Sequence, residues 1–131
     1  GIRVVGDRFV FDAEVLFPSG SADLNVDGLA TLDQLAGAIR QLEQDIPGDL
    51  AWVLRVDGHT DVRPIRSPLF PSNWELSSAR ATSVVKFLIS RGVAPQNLAA
   101  AGFGEFQPIE AGVTEEVYRR NRRIELKLDT R

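Results

Sequence analysis

Two stretches of helical periodicity, each entered from a β-favouring run, leave this chain few ways to bury its apolar residues. In the first, Leu29, Leu32, Leu35, Ala36, Ile39 and Leu42 share one face, with Asp33, Arg40 and Gln44 on the other. Asn25 or Asp27 is placed to cap its start, and Pro47-Gly48 ends it. In the second, Leu76, Ala81, Val84, Phe87 and Leu88 share a face. Ser72 and Glu75 have the spacing of a capping box, with Asn73 as an alternative cap, and Gly92 sits at the C-terminal stop. The runs RFVFDAEVLF (8–17), AWVLRV (51–56) and RIELKL (123–128) read as strands, and LAAAGFG (98–104) contains a short one. TEEVYRRN (114–121) reads as one or two helical turns. The order β-α-β-loop-α-β-(short α)-β predicts an α+β sandwich, a mixed sheet of about four strands with the two main helices on one face. Neighbouring strands joined through a helix are expected to run parallel. No repeat or linker interrupts the pattern, so residues 1–131 are read as a single domain.

Several chemistries are closed to such a chain. It has no Cys, which excludes disulfides, thiolate metal sites and Cys nucleophiles, and one His, which excludes a multi-histidine metal site within the chain. Metal and cofactor are therefore not expected. No apolar run reaches the roughly 18–20 residues that span a bilayer. There is no Met, so the chain is expected to be a fragment or processed product whose N-terminal remainder holds a membrane anchor. Charge is uneven: residues 1–50 carry three Arg against nine acids, and residues 51–131 carry twelve basic residues against nine acids. Recognition of an anion is expected in the second half.

One residue breaks the helical pattern there. At about 100° per residue, Arg80 lies at about 40° from Leu76, near the middle of the apolar arc. An unpartnered guanidinium in that position is costly, so Arg80 must either extend to solvent or meet a carboxylate. Helical side chains lean toward the N-terminus, which aims Arg80 at the start of its own helix, where the 59–73 loop arrives. Asp61 is the natural acid in that loop. Two readings follow from the residues alone: an internal Asp61–Arg80 salt bridge that pins the loop, or a binding site.

GHTD (58–61), NWELSSARA (73–81), GFGEFQPI (102–109) and NRRIEL (121–126) occur in that order, and together they resemble the OmpA-like peptidoglycan-binding domain over about residues 9–128. The long loop PIRSPLFPSNWELS is similar to that of the MotB-like, flagellar stator subgroup, although proteins outside the flagellar motor share it. The resemblance implies non-covalent, non-enzymatic binding of peptidoglycan through meso-diaminopimelate of the stem peptide. It places the ligand ammonium on Asp61 and the ligand carboxylate on Arg80, with Thr60, Asn73 and the backbone near Arg123 and Ile124 lining the site. In relatives, the loop matching PSGSAD (18–23) closes one wall through backbone groups. The resemblance also implies a periplasmic module that ties a protein of the inner or outer membrane to the cell wall, and a homodimer would gain by avidity on such a polymer. The alternative is a protein-interaction or dimerisation domain with Asp61–Arg80 as its internal bridge. The segment TEEVYRR departs from the Gly-Arg of many members, and Arg119 and Arg120 are expected at the solvated surface.

Other classes find less support. His59 and Asp61 could face one way in an extended chain, but no second His, Cys or nucleophile-elbow Ser accompanies them. An enzyme is not expected, and His59 is read as a structural hydrogen-bonder beneath the site. RRNRR (119–123) is short and lacks interleaved aromatics, so nucleic acid is not expected as a partner. Trp52 and Trp74 are read as packing residues before sugar platforms. The G-x-G of GFGEFQP is read as a turn.

Overall fold

The structure, a computed structural model, describes residues 2–5 and 8–130, so the two ends of the expected domain, Gly1 and Arg131, lie outside the described residues. Strands β1 (Ile2–Val5) and β2 (Arg8–Asp12) are followed by a single helical turn, α1 (Ala13–Leu16), and the long helix α2 (Val26–Asp45). Strand β3 (Trp52–His59) leads through the long loop to α3 (Asn73–Ser90). A 3-10 turn (Pro95–Asn97), β4 (Leu98–Gly102), α4 (Glu115–Asn121) and β5 (Arg123–Thr130) complete the chain.

The helix starts are those the sequence signals. Asn25 Oδ1 accepts from Gly28 N at 2.6 Å, and Ser72 Oγ accepts from Trp74 N at 3.2 Å while bonding Glu75. Gly92, at φ +99°, closes α3 in a backbone conformation that L side chains rarely adopt.

The strands form one mixed sheet in the order β1-β2-β5-β3-β4. β3 and β4, joined through α3, are parallel, and the other pairings are antiparallel. The fold agrees with the predicted sandwich, with β1 added as a fifth strand antiparallel to β2. The 8–17 run is not one strand. It ends at Asp12, and Ala13 N instead donates to the Arg122 carbonyl at 2.9 Å. Val15, Leu16 and Phe17 prolong the apolar run without prolonging the strand, because a short apolar run does not distinguish strand from helix.

Period-two alternation gives the sheet two unlike faces. Phe11, Trp52, Leu54, Val56, Ile124 and Leu126 pack against Leu32, Ala36 and Ile39 of α2 and Ala81, Val84 and Leu88 of α3. The other face carries Arg8, Arg55, Asp57, His59, Arg123 and Glu125, joined by ion pairs.

One contact sets how closely α3 lies on the sheet. Gly58 and Gly102 are register partners on β3 and β4. A Cβ on Gly58 would stand 2.1 Å from the Ser77 carbonyl oxygen, and one on Gly102 would stand 2.1 Å from Ser78 Oγ. Two glycines therefore let the first turns of α3 rest on the carboxyl ends of the strands. Asp61 and Arg80 are brought to one place by that approach.

Candidate functional site

An open pocket of about 500 Å³ lies beyond the end of β3. Its walls come from residues 13–20, from Thr60 to Ile65, from the start of α3 and from the α4–β5 corner. Its lining carries three guanidinium groups, Arg63, Arg80 and Arg122, and three carboxylates, Glu14, Asp61 and Glu115.

Arg80 is 5% exposed. Among the described residues it has no ion-pair partner, and Asp61 is not bonded to it. Its Nε donates to the Ser21 carbonyl at 2.8 Å and its Nη2 to the Pro18 carbonyl at 3.2 Å. Its guanidinium also lies 5.1 Å from the centre of the Phe17 ring. Burial, then the nearby charge of Arg122, pushes its pKa down to about 10, with Asp61 partly opposing. The Asp61–Arg80 bridge of the alternative reading is thus not formed. The 18–23 loop takes the place of a carboxylate by presenting backbone carbonyls, a partner that the sequence alternatives of solvent or carboxylate left out. A guanidinium has five N–H donors, and these two bonds leave Nη1 uncommitted among the described residues.

Asp61 is equally buried and heavily hydrogen-bonded. Its Oδ1 accepts from Arg63 N at 2.8 Å and Arg63 Nε at 3.3 Å. Its Oδ2 accepts from Arg63 Nη2 and from Arg122 Nη1, each at 2.8 Å. Burial alone would raise this carboxyl, but the hydrogen bonds from Arg63 and Arg122 outweigh it and hold the group below the usual carboxylate range. Glu115 spans the outer ends of the same arginines, 3.2 Å from each.

Thr60 and Asn73 also line the pocket. Thr60 N donates to the Gly104 carbonyl at 2.9 Å, which fixes the G-x-G turn against the site, and Thr60 Oγ1 donates to the Asp61 carbonyl at 2.9 Å. Asn73 Nδ2 donates to the Arg63 carbonyl at 3.0 Å, tying the long loop to the first turn of α3. Of the six residues expected at the site, the structure gathers these two with Asp61 and Arg80.

The expectation at Arg123 and Ile124 concerns the backbone, and neither side chain enters the pocket: alternation along β5 turns the Ile124 side chain into the core and the Arg123 side chain to the outer face. There Arg123 donates to Glu125 at 2.5 Å, the Asn121 carbonyl at 2.9 Å and the Gln107 carbonyl at 2.7 Å. The residue before them, Arg122, enters the pocket instead. Consecutive residues of an extended segment point to opposite sides, so the pair Arg122-Arg123 already implied that only one could face a given site. Arg63 was the other residue missed; its position two after Asp61 was the available signal. Arg119 and Arg120 lie at the surface, paired with Glu14 at 3.8 Å and with Glu110 and Glu116 at 2.5 and 2.7 Å.

His59 is not the expected hydrogen-bonder. It is 3% exposed, neither ring nitrogen has a hydrogen-bond partner among the described residues, and its ring stacks on Phe103 at 5.0 Å. Burial, reinforced by Arg123, pushes its pKa well below the ordinary range. Asp57, His59 and Glu125 bring donor atoms within 4.8 Å of one another. Yet Arg55 holds Asp57 bidentately and Arg8 and Arg123 hold Glu125, so these carboxylates already have cations. Trp52 is a core residue; Trp74 is half exposed and stacks on Phe106 at 5.1 Å.

Comparison with known proteins places this architecture. "Uncharacterized protein YtxE" of Bacillus subtilis is 36% identical over 122 residues, which cover 92% of this chain and 47% of that protein. The chain spans about half the length of the curated relatives it matches. The periplasmic domain of Helicobacter pylori MotB (its residues 78–256) superposes with a TM-score of 0.82 at 27% identity, covering 98% of this chain and 80% of that one. The cell wall anchor of the type VI secretion system (T6SS) from Pseudomonas aeruginosa superposes with a TM-score of 0.79 at 31% identity, covering 99% and 86%. Among the described residues, no helix is long and apolar enough to cross a membrane. The OmpA family pattern matches residues 16–122, and the chain belongs to the OmpA family.

Proposed function

We propose that this chain binds peptidoglycan non-covalently through the diaminopimelate of the stem peptide, and that it anchors a membrane-attached protein to the cell wall from the periplasm. The observation that carries the reading is Arg80: a buried guanidinium with no carboxylate partner among the described residues, lining an open pocket that also holds Asp61. A cation so desolvated is completed by an anion from outside the chain. The free end of diaminopimelate is a zwitterion, and it matches one acid and one guanidinium. Similarity to a cell wall anchor and to a periplasmic MotB domain supports the same reading. The pocket's lining contains no His, the Thr60 hydroxyl donates to the Asp61 carbonyl, and the Asp61 carboxylate is taken up by Arg63 and Arg122, which favours binding over catalysis. A docking domain pinned by an Asp61–Arg80 bridge is disfavoured, because loop carbonyls hold Arg80 instead.

Co-sedimentation with insoluble diaminopimelate-type peptidoglycan tests the reading. The wild-type chain is expected in the pellet, and Asp61→Ala and Arg80→Ala variants in the supernatant. Equal retention of all three would remove the site assignment.

A further inference from the structure

The pocket's acid is not waiting empty. All four hydrogen bonds recorded at the Asp61 carboxylate come from the chain's own arginines, and three of the four come from Arg63. A ligand ammonium cannot reach Asp61 unless one of those guanidinium groups yields. Arg122 is poorly placed to move. Its side chain is 23% exposed, less than half the exposure of the Arg63 side chain, so it has less room to swing away. Arg63 is well placed. Its side chain is 48% exposed and sits on the long loop, and two further partners already hold it: Glu115 at 3.2 Å and the face of Tyr118 at 4.4 Å. Leaving Asp61 would therefore cost Arg63 only part of its contacts.

We infer that Arg63 is a built-in competitor for the ligand's ammonium group: it caps Asp61 in the empty pocket and is exchanged for that ammonium on binding. The inference rests on the reading of the pocket as a diaminopimelate site, and it adds a rule of selection. A ligand must bring an ammonium strong enough to displace Arg63 and a carboxylate for Arg80. A dicarboxylate without the amine, such as pimelate, reaches only Arg80 and leaves Arg63 in place. The Arg63 backbone N–H can stay on Oδ1 throughout, since only the side chain has to leave.

Calorimetric titration of the chain with meso-diaminopimelate and with pimelate tests this, using Arg63→Gln, Arg63→Lys and Arg80→Met variants beside the wild type. Removing a half-exposed competing cation is expected to tighten meso-diaminopimelate about 3- to 10-fold in Arg63→Gln. Pimelate binding should be unchanged in that variant. Arg63→Lys, which keeps the charge, should stay near the wild type, and Arg80→Met should lose both ligands. Equal or weaker meso-diaminopimelate binding by Arg63→Gln, with Arg80 still required, overturns the inference and leaves the pocket reading standing. Absence of Arg80-dependent binding in every variant overturns both.

Discussion

Arg80 Nε donates to the Ser21 carbonyl oxygen at 2.8 Å, which joins helix α3 to a loop 59 residues earlier in the chain. The bond satisfies a donor without neutralising a charge. A group kept for stability would gain from an acid at that position, whereas a group kept for an incoming carboxylate would not. Arg80→Met separates the two roles. It removes a desolvated cation and leaves two loop carbonyls without donors, opposing effects that should hold the change in unfolding free energy to within about 1 kcal/mol. Peptidoglycan retention should nevertheless be lost. Urea denaturation checks the first expectation; destabilisation above about 3 kcal/mol would mark Arg80 as a structural residue.

Gly58→Ala tests how the site is positioned. The added Cβ would meet the Ser77 carbonyl at 2.1 Å, and that atom belongs to the helix backbone, so α3 must lift from the sheet. A loss of about 1–3 kcal/mol or more is expected from such overpacking, read as a lower urea midpoint at unchanged slope. Wild-type stability in this variant would show that α3 does not depend on the close approach.

Stability should fall on mild acidification because of His59. Its folded pKa lies below the unfolded value of about 6.5, so below that pH the unfolded chain binds the extra proton. Stability contributed by the neutral ring is full above about pH 6.5 and declines at up to about 1.4 kcal/mol per pH unit toward the folded pKa. Asp61 and Glu125 are also depressed, and their contributions are present above the ordinary carboxylate range and lost as pH falls through their lower folded values. The interval from about pH 6.5 to 4.5 is therefore where His59 should dominate. Unfolding free energy measured across it should slope in the wild type and flatten in His59→Phe. An equal slope in both would assign the effect elsewhere.

Salt offers a further check. Binding through two charge pairs at an open pocket should weaken as the Debye length shrinks from about 10 Å at 0.1 M to about 3 Å at 1 M salt. Retention on peptidoglycan that is indifferent to salt would point to apolar contacts, such as the exposed Trp74–Phe106 pair.

Much of this architecture was legible before the fold was seen, and the particulars show where legibility stops. Arg80 stood out because helical periodicity is local: four residues from Leu76, it had to share the apolar face. Its partners were not legible from the residues alone, because the Pro18 and Ser21 carbonyls reach it only through tertiary packing; only the resemblance put backbone groups of the 18–23 loop at the site. The break after Asp12 was hidden for a related reason, since it depends on a hydrogen bond between Ala13 and the distant Arg122. Asp61 was legible as the acid, but the two arginines that hold it were not read from the sequence. Arg122 approaches from 61 positions away, and Arg63 lies on a loop whose course periodicity does not describe.

The most direct measurement is a crystal structure of the chain with meso-diaminopimelate. One ligand carboxylate should lie within about 3 Å of the Arg80 guanidinium, the ammonium of the same ligand end within about 3 Å of an Asp61 carboxylate oxygen, and the Arg63 side chain should have left Asp61. Saturating ligand bound elsewhere, with Arg80 still held only by loop carbonyls and Asp61 still capped by Arg63, would contradict the account.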